Sequence, residues 1–176
     1  MLYAHYEMLL RWNSRMNLTS VKPGRETVIR HYCESLFFAA HLPAGRGNIS
    51  VLDLGSGAGF PGLPMAVLKP EWHLTLVEAN KRKAVFLREA TRQLVNTSVL
   101  EQRFEAILLM GDWVVSRAVD PVEVLSNLPR LGINVGLMIS EDAFRSLSSK
   151  SSIAWYDPVR LPWGDQRLCV FGRCST

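Results

Sequence analysis

Residues 51–62, VLDLGSGAGFPG, set three alternate glycines directly after a run that reads as a buried strand and before one that reads as a helix. Gly55, Gly57 and Gly59 free the backbone to take positive φ and to come close to a ligand, an approach that a Cβ would obstruct. Gly57, Gly59 and Gly62 also spell GxGxxG, so the spacing admits a nicotinamide dinucleotide as well as another nucleoside cofactor. Two neighbours weigh against the dinucleotide. Asp53 stands in the strand just before Gly55, where an acid faces the charged end of a ligand; it suits the sulfonium and ammonium groups of S-adenosylmethionine and gives nothing to a pyrophosphate. Pro61 and Pro64 occupy the first turn of the following helix and remove an N–H donor that a pyrophosphate would use.

Glu78 closes the next apolar run, at the distance along the chain where an acid accepts hydrogen bonds from ribose hydroxyls. A third run leads into Arg103, Phe104 and Glu105, and a fourth ends in Ser116 and Arg117. If these strands are parallel, their carboxyl ends bring Asp53, Glu78, Phe104, Glu105 and Arg117 to one crevice, the place where open α/β sheets bind ligands.

The elements that must do this positioning are legible as patterns. ISVLDL (49–54), HLTLVE (73–78), TSVLEQ (97–102) and DWVVSR (112–117) alternate with helical or turn segments, which predicts a parallel sheet covered by helices. INVGLMI, IAWYDPV and RLCVFGR read as weaker strands. Asn80 is placed to cap a helix over 80–95 whose buried stripe is Ala84, Phe86, Leu87, Ala90 and Leu94, and Asp120, Pro121 and Glu123 start another. Upstream, Tyr6, Leu9, Asn13, Met16 and Asn17 recur at helical spacing, as do Val28, Tyr32, Ser35, Leu36 and Ala39. Two helices are expected there, joined by a turn at LTSVKPG (18–24) and followed by a loop at 43–48, while SLSSKSS (146–152) reads as a mobile surface loop. The expected fold is α/β and Rossmann-like: a mostly parallel central sheet with helices on both faces, in one domain with a helical cap at 1–46 and a core at 47–176.

The chain has 176 residues, 48% hydrophobic and 20% charged, with a mean hydropathy of +0.06. That composition builds a core without staples and excludes a disordered chain. No apolar run is long enough to span a bilayer, and the start MLYAHYEMLLRWN has no basic leader, so neither a membrane span nor export is expected. Cys33, Cys169 and Cys174 form an odd, scattered set with no CxxC pair, which suits the reducing cytoplasm. His31 and Glu34 lie three apart on a helix with no further ligand cluster, so no metal is expected. The net charge of +4 and pI near 9.2 permit a polyanionic partner without requiring one. KRK at 81–83 reads as a solvated first helical turn.

The loop GSGAGFPG, with WNSRMNLT at 12–19, RHYCESL at 30–36, LVEANKRKAVFL at 76–87, RFE at 103–105 and SRAV at 116–119, resembles the glucose-inhibited division protein B family, in order from about Tyr6 to Val119. Members of that family are S-adenosylmethionine-dependent methyltransferases acting on guanine N7 in small-subunit (16S) ribosomal RNA. The resemblance implies that Gly55 and Phe60 line the cofactor, that Glu78 takes its ribose, that Phe104 and Glu105 lie beside its adenine and that Arg117 completes the pocket. It places Asn13, Asn17, Arg30, His31 and Ser35 on the cap, near the entry of the guanine. It also implies a cytoplasmic monomer whose partner is ribosomal RNA or the small ribosomal subunit. The chain departs from the family pattern at Glu34, where Asp is usual, and at Ile139 and Ser140, which replace a Lys-Gly pair. It is also short at its amino end and has no basic carboxyl tail. Two rivals stand beside this reading: a nicotinamide-dependent oxidoreductase, and a non-catalytic S-adenosylmethionine- or RNA-binding member of the same fold.

Overall fold

The structure is a computed structural model that describes residues 1–16, 18, 23–45, 47–149, 152–163 and 166–174. Its eight strands are β1 (Ser50–Leu54), β2 (His73–Val77), β3 (Thr97–Leu100), β4 (Gly111–Arg117), β5 (Gly132–Ser140), β6 (Ile153–Trp155), β7 (Val159–Arg160) and β8 (Arg167–Cys174). They form one sheet in the order β3-β2-β1-β4-β5-β8-β6, with β7 also paired to β8. The first five are parallel, and β8 runs antiparallel to β5, β6 and β7. The chain moves outward from β1 to β3 and then returns to the other side of β1 with β4, so the switch point lies between β1 and β4.

Alternation along the strands builds two cores. Val51, Leu74, Leu76, Trp113 and Val115 face a core shared with Leu9, Phe38, Leu63, Phe86 and Leu87. Their chain neighbours Leu52, Leu54 and Val114 face the opposite side, against Val124, Leu128 and Leu131 of α6 (Pro121–Leu131) and Leu147 of α7 (Glu141–Ser148). Helices therefore cover both faces.

Ahead of the sheet lie α1 (Leu2–Met16) and a second helical rod in three parts: α2 (Arg25–Thr27), a π-helix (Val28–Cys33) and α3 (Glu34–His41). The sequence pattern predicted an ordinary helix here; the π segment was not legible in it. The Glu34 N–H reaches back to the Ile29 carbonyl, the wider bond that defines a π turn. The turn expected at 18–24 falls largely on residues outside those described.

After β1 come α4 (Gly62–Leu68) and, after β2, α5 (Lys81–Ala90). Asn80 caps α5, its Oδ1 accepting from the amides of Arg82 (3.0 Å) and Lys83 (3.2 Å). Asp120 caps α6 by accepting from the Val122 amide at 2.9 Å. α5 ends at Ala90, earlier than the periodicity predicted, with the amide and the hydroxyl of Thr91 both donating to the Leu87 carbonyl. The surface loop expected at 146–152 is corrected in part. Residues 146–148 belong to α7, which Ser140 caps through the Ala143 amide, and residues 150 and 151 lie outside those described. Among the described residues no helix is long and apolar enough to cross a membrane.

Candidate functional site

The loop after β1 is held from below and from both sides. The amides of Gly55 and Ser56 both donate to the Val77 carbonyl (2.9 and 3.0 Å), so the loop leaves β1 already joined to the end of β2. Gly55 and Gly57 take φ of +70° and +57°, in the left-handed region that favours glycine. Their bare α-carbons do different work. A Cβ on Gly55 would lie 2.4 Å from Val119 Cγ2, whereas one on Gly57 would meet only the Gly55 carbonyl oxygen, at an ordinary contact distance of 3.8 Å. Gly55 and Gly57 both line the cavity. Gly59 faces inward, toward Leu63, Leu87 and His5.

Asp53 is fully buried beneath the loop, and its Oδ2 accepts the Gly62 amide at 3.0 Å. It thus ties the end of β1 to the start of α4. It does not line the cavity, contrary to the position at a ligand's charged end that its place in the strand suggested. Burial pushes its carboxyl up to about 7, against the lowering effect of the Gly62 bond.

Glu78 follows β2 and is the hub of the site. Its Oε2 accepts the Gly57 amide (3.0 Å) and its Oε1 the Asn80 amide (2.7 Å), so one carboxylate fixes both the glycine loop and the entry to α5. Each oxygen keeps a second lone pair for another donor. Arg117 ends β4, and Ala118 after it has φ +62°, an uncommon conformation for a residue with a side chain. Leu18, His31, Gly55, Ser56, Gly57, Phe60, Glu78, Lys83, Arg117 and Ala118 surround a cavity of about 320 Å3.

The cap closes the cavity through aromatic and charged contacts. The His31 ring stacks on Phe60, with centroids 4.7 Å apart and planes 17° from parallel. Burial, reinforced by the charges of Arg117, Arg167 and Arg30, pushes His31 down to about 4, so it is neutral at pH 7. On the opposite side of Phe60, His5 of α1 donates from Nε2 to the Ala58 carbonyl (3.0 Å) and accepts the Tyr32 hydroxyl at Nδ1 (2.9 Å). A carbonyl only accepts, which fixes this tautomer. His5 therefore joins α1, the glycine loop and the π-helix. Sequence reasoning missed it; the available signal was a histidine four residues before Leu9 on the apolar face of α1.

Arg117 is charge-balanced from the cap. Its Nη2 lies 3.4 Å from Glu34 Oε2, and Arg167 of β8 bonds to Glu34 Oε1. The Glu34 side chain is only 2% exposed, so this bridge from the cap to β4 and β8 lies inside the protein. Glu34 stood out in the sequence as a longer acid and as a neighbour of His31, not as a bridge to β4 and β8, and Arg167 not at all.

The structure brings His31, Gly55, Gly57, Phe60, Glu78 and Arg117 together around the cavity. It adds Ser56, Lys83 and Ala118; of the KRK turn, Lys81 and Arg82 are exposed and Lys83 reaches the cavity. Asp53 and Gly59 sit beneath the loop. Ser35 is buried, with its hydroxyl donating to the His31 carbonyl, and Arg30 pairs with Glu26 at 3.4 Å. Phe104 and Glu105 lie in a short 3-10 turn after β3, Phe104 half-buried and Glu105 exposed, and neither lines the cavity. Asn13 is on α1 and outside the lining, and Asn17 lies outside the described residues.

The model of the family described as GidB, rRNA small subunit methyltransferase G, matches residues 1–138. The chain is 43% identical over 133 residues to Ribosomal RNA small subunit methyltransferase G of Nitrosomonas europaea, covering 73% of this chain and 60% of that protein. It is 44% identical over 123 residues to the protein of the same name in Xylella fastidiosa, covering 68% and 56%. The chain thus spans less than two thirds of the length of these relatives. Among solved structures, magnesium protoporphyrin IX methyltransferase from Synechocystis with bound SAM matches with a TM-score of 0.68 over 97% of both chains at 11% identity. A SAM-dependent methyltransferase from Aquifex aeolicus matches at 0.65, covering 86% of this chain and 94% of that one at 15% identity. These two likenesses concern the fold. By the extent of the family match and the identity to its relatives, the chain belongs to the GidB family of small-subunit ribosomal RNA methyltransferase G proteins.

Proposed function

We propose that the chain binds S-adenosylmethionine at the loop between β1 and α4 and transfers its methyl group to N7 of a guanine in small-subunit ribosomal RNA. One observation carries this reading: Glu78, held by the Gly57 and Asn80 amides, faces a cavity at the switch point with lone pairs left for a ribose. The residues present fit such a ligand. The space beside Gly57 is uncrowded, and about 320 Å3 falls within the range of roughly 300–1,000 Å3 common for small-molecule sites. When bound, S-adenosylmethionine supplies a methyl group on a positively charged sulfur.

The chain's own residues then have four tasks. Glu78 orients the ribose, with Phe104 and Glu105 on the adenine side. Asp53 and Gly59 keep the loop in place from beneath. His31, neutral and stacked on Phe60, shapes the cavity without adding a positive charge near the sulfur. Arg117, balanced by Glu34, presents a planar fork to guanine or phosphate. Guanine N7 carries a free lone pair at neutral pH, so the reaction needs alignment and no general base. Residues 1–176 act as one unit in this reading, the cap at 1–46 over the core at 47–176. The chain works as a cytoplasmic monomer on the RNA or the small subunit, a setting consistent with free Cys33, Cys169 and Cys174.

The test is calorimetry with S-adenosylmethionine and S-adenosylhomocysteine, followed by mass mapping of 7-methylguanosine in small ribosomal subunits treated with the purified chain. Binding and one new methylguanosine are expected. A folded protein that binds neither ligand refutes the reading.

A further inference from the structure

A second hollow, of about 470 Å3, is walled in part by Glu34, which also meets Arg117. Arg25, Glu26, Ile29, Arg30, Glu34, Trp163 and Arg167 line it. We propose that this hollow holds one nucleotide of the RNA substrate next to the base that enters the cofactor cavity, with its phosphate against the guanidinium groups and its base against Trp163. The inference rests on the methyltransferase reading above and adds where the strand is gripped.

Charge is the first argument. Glu34 faces two guanidiniums, Arg167 at Oε1 and Arg117 at Oε2, and so neutralises only one of them. Arg30 pairs with Glu26 at 3.4 Å, with side chains 44% and 76% exposed, and a pair so open to water holds weakly. Arg25 adds a further cation to the lining. Among the described residues of this cluster, arginines outnumber carboxylates.

An unused donor is the second. Arg167 Nε, in the wall of this hollow, is buried and has no hydrogen-bond partner among the described residues. A guanidinium N–H withdrawn from water calls for an acceptor, and phosphate oxygens match the fork geometry of arginine.

The third argument is Trp163, a large apolar ring that is 41% exposed. Its contact with Phe37 is edge-on, with ring centroids 5.7 Å apart. An exposed aromatic ring beside arginines is the arrangement by which unpaired nucleotides are held, the base stacked and the backbone paired. An inorganic anion or an acidic peptide would use the arginines and leave the ring without a task. The position fits too, because Glu34 lines this hollow and touches Arg117, which lines the cofactor cavity. Adjacent nucleotides of one strand can therefore occupy the two spaces.

The experiment uses the full chain, a fluorescently labelled single-stranded RNA oligonucleotide containing guanine, and anisotropy titrations over a salt series. S-adenosylhomocysteine affinity is measured on the same samples. Trp163→Ala is expected to weaken RNA binding roughly 5- to 100-fold at unchanged salt slope, and Trp163→Phe to restore most of it. Arg25→Ala is expected to reduce the slope of log K against log salt by about 0.7. S-adenosylhomocysteine affinity stays at the wild-type value in all three variants. Unchanged RNA affinity and slope in Trp163→Ala and Arg25→Ala, with cofactor binding intact, overturns the proposal. Wild-type protein that binds S-adenosylhomocysteine but no RNA overturns it as well. Wild-type protein that binds no S-adenosylhomocysteine sinks the methyltransferase reading itself.

Discussion

Replacing His5 with glutamine removes a pH dependence from the attachment of the cap, and the size of that dependence follows from the burial of the imidazole. His5 is 3% exposed, and burial pushes it from 6.5 down to about 4, the Ala58 bond opposing the change. Above pH 6.5 the ring is neutral in both the folded and the unfolded chain and adds no pH dependence. Between 6.5 and about 4 the unfolded chain takes up a proton that the folded chain refuses, so stability falls as pH falls; below about 4 the loss is constant. The interval corresponds to on the order of 3 kcal/mol. His31 shifts the same way, and Asp53, raised to about 7, acts in reverse, costing stability as pH rises from 3.8. Comparing wild type with His5→Gln cancels both. The assay is urea unfolding of each protein at intervals between pH 7.5 and 4.5. The wild-type advantage is expected to shrink by on the order of 3 kcal/mol across that range. A gap that stays constant with pH would show that His5 titrates alike in both states and would refute the reasoning.

Glu78→Gln is expected to weaken S-adenosylhomocysteine binding by about 1–3 kcal/mol in calorimetry, through loss of charged hydrogen bonds, and to erase discrimination against a 2′-deoxy analogue. Gly55→Ala sets a Cβ 2.4 Å from Val119 Cγ2 at φ +70°. A loss of about 1–3 kcal/mol is expected in urea melts, and the added change Val119→Ala should recover the steric part. Arg117→Lys keeps the charge but loses the fork; single-turnover methylation on small subunits is expected to fall about tenfold or more while cofactor affinity changes little.

The patterns that local chemistry controls were legible in the sequence. Strand alternation placed β1 to β5, and side chains that cap their own helix marked Asn80 and Asp120, because each needs only near neighbours to act. Gly55, Gly57 and Gly59 were visible as a cluster. Their separate tasks were not, since these depend on Val119 and on Leu87, which approach from other elements. The bond that Asp53 makes was hidden for the same reason: the strand fixes its height in the sheet, but the Gly62 amide that it accepts comes from α4. The π turn at Val28–Cys33 changes one hydrogen-bond step and leaves the apolar spacing nearly intact, so periodicity could not reveal it. The pairing of Glu34 with Arg167 spans 133 positions, and no local pattern predicts it.

β8 enters the sheet between β5 and β6, and it lies beyond the residues matched by the family model. A chain growing from its amino end therefore completes β5 as a bare edge. The backbone positions Asn134–Ser140 wait there for partners that β8 alone supplies. Val135 and Leu137 on that strand are fully or almost fully buried in the finished protein, so the waiting edge is apolar as well as unpaired, a combination that invites other chains. Glu34 meanwhile faces Arg117 without Arg167. Both conditions end in one event, when residues 167–174 slide in: the sheet is sealed and the second guanidinium arrives. The pairing that covers the apolar edge of β5 and the pairing that gives Glu34 its second guanidinium are thus one and the same step.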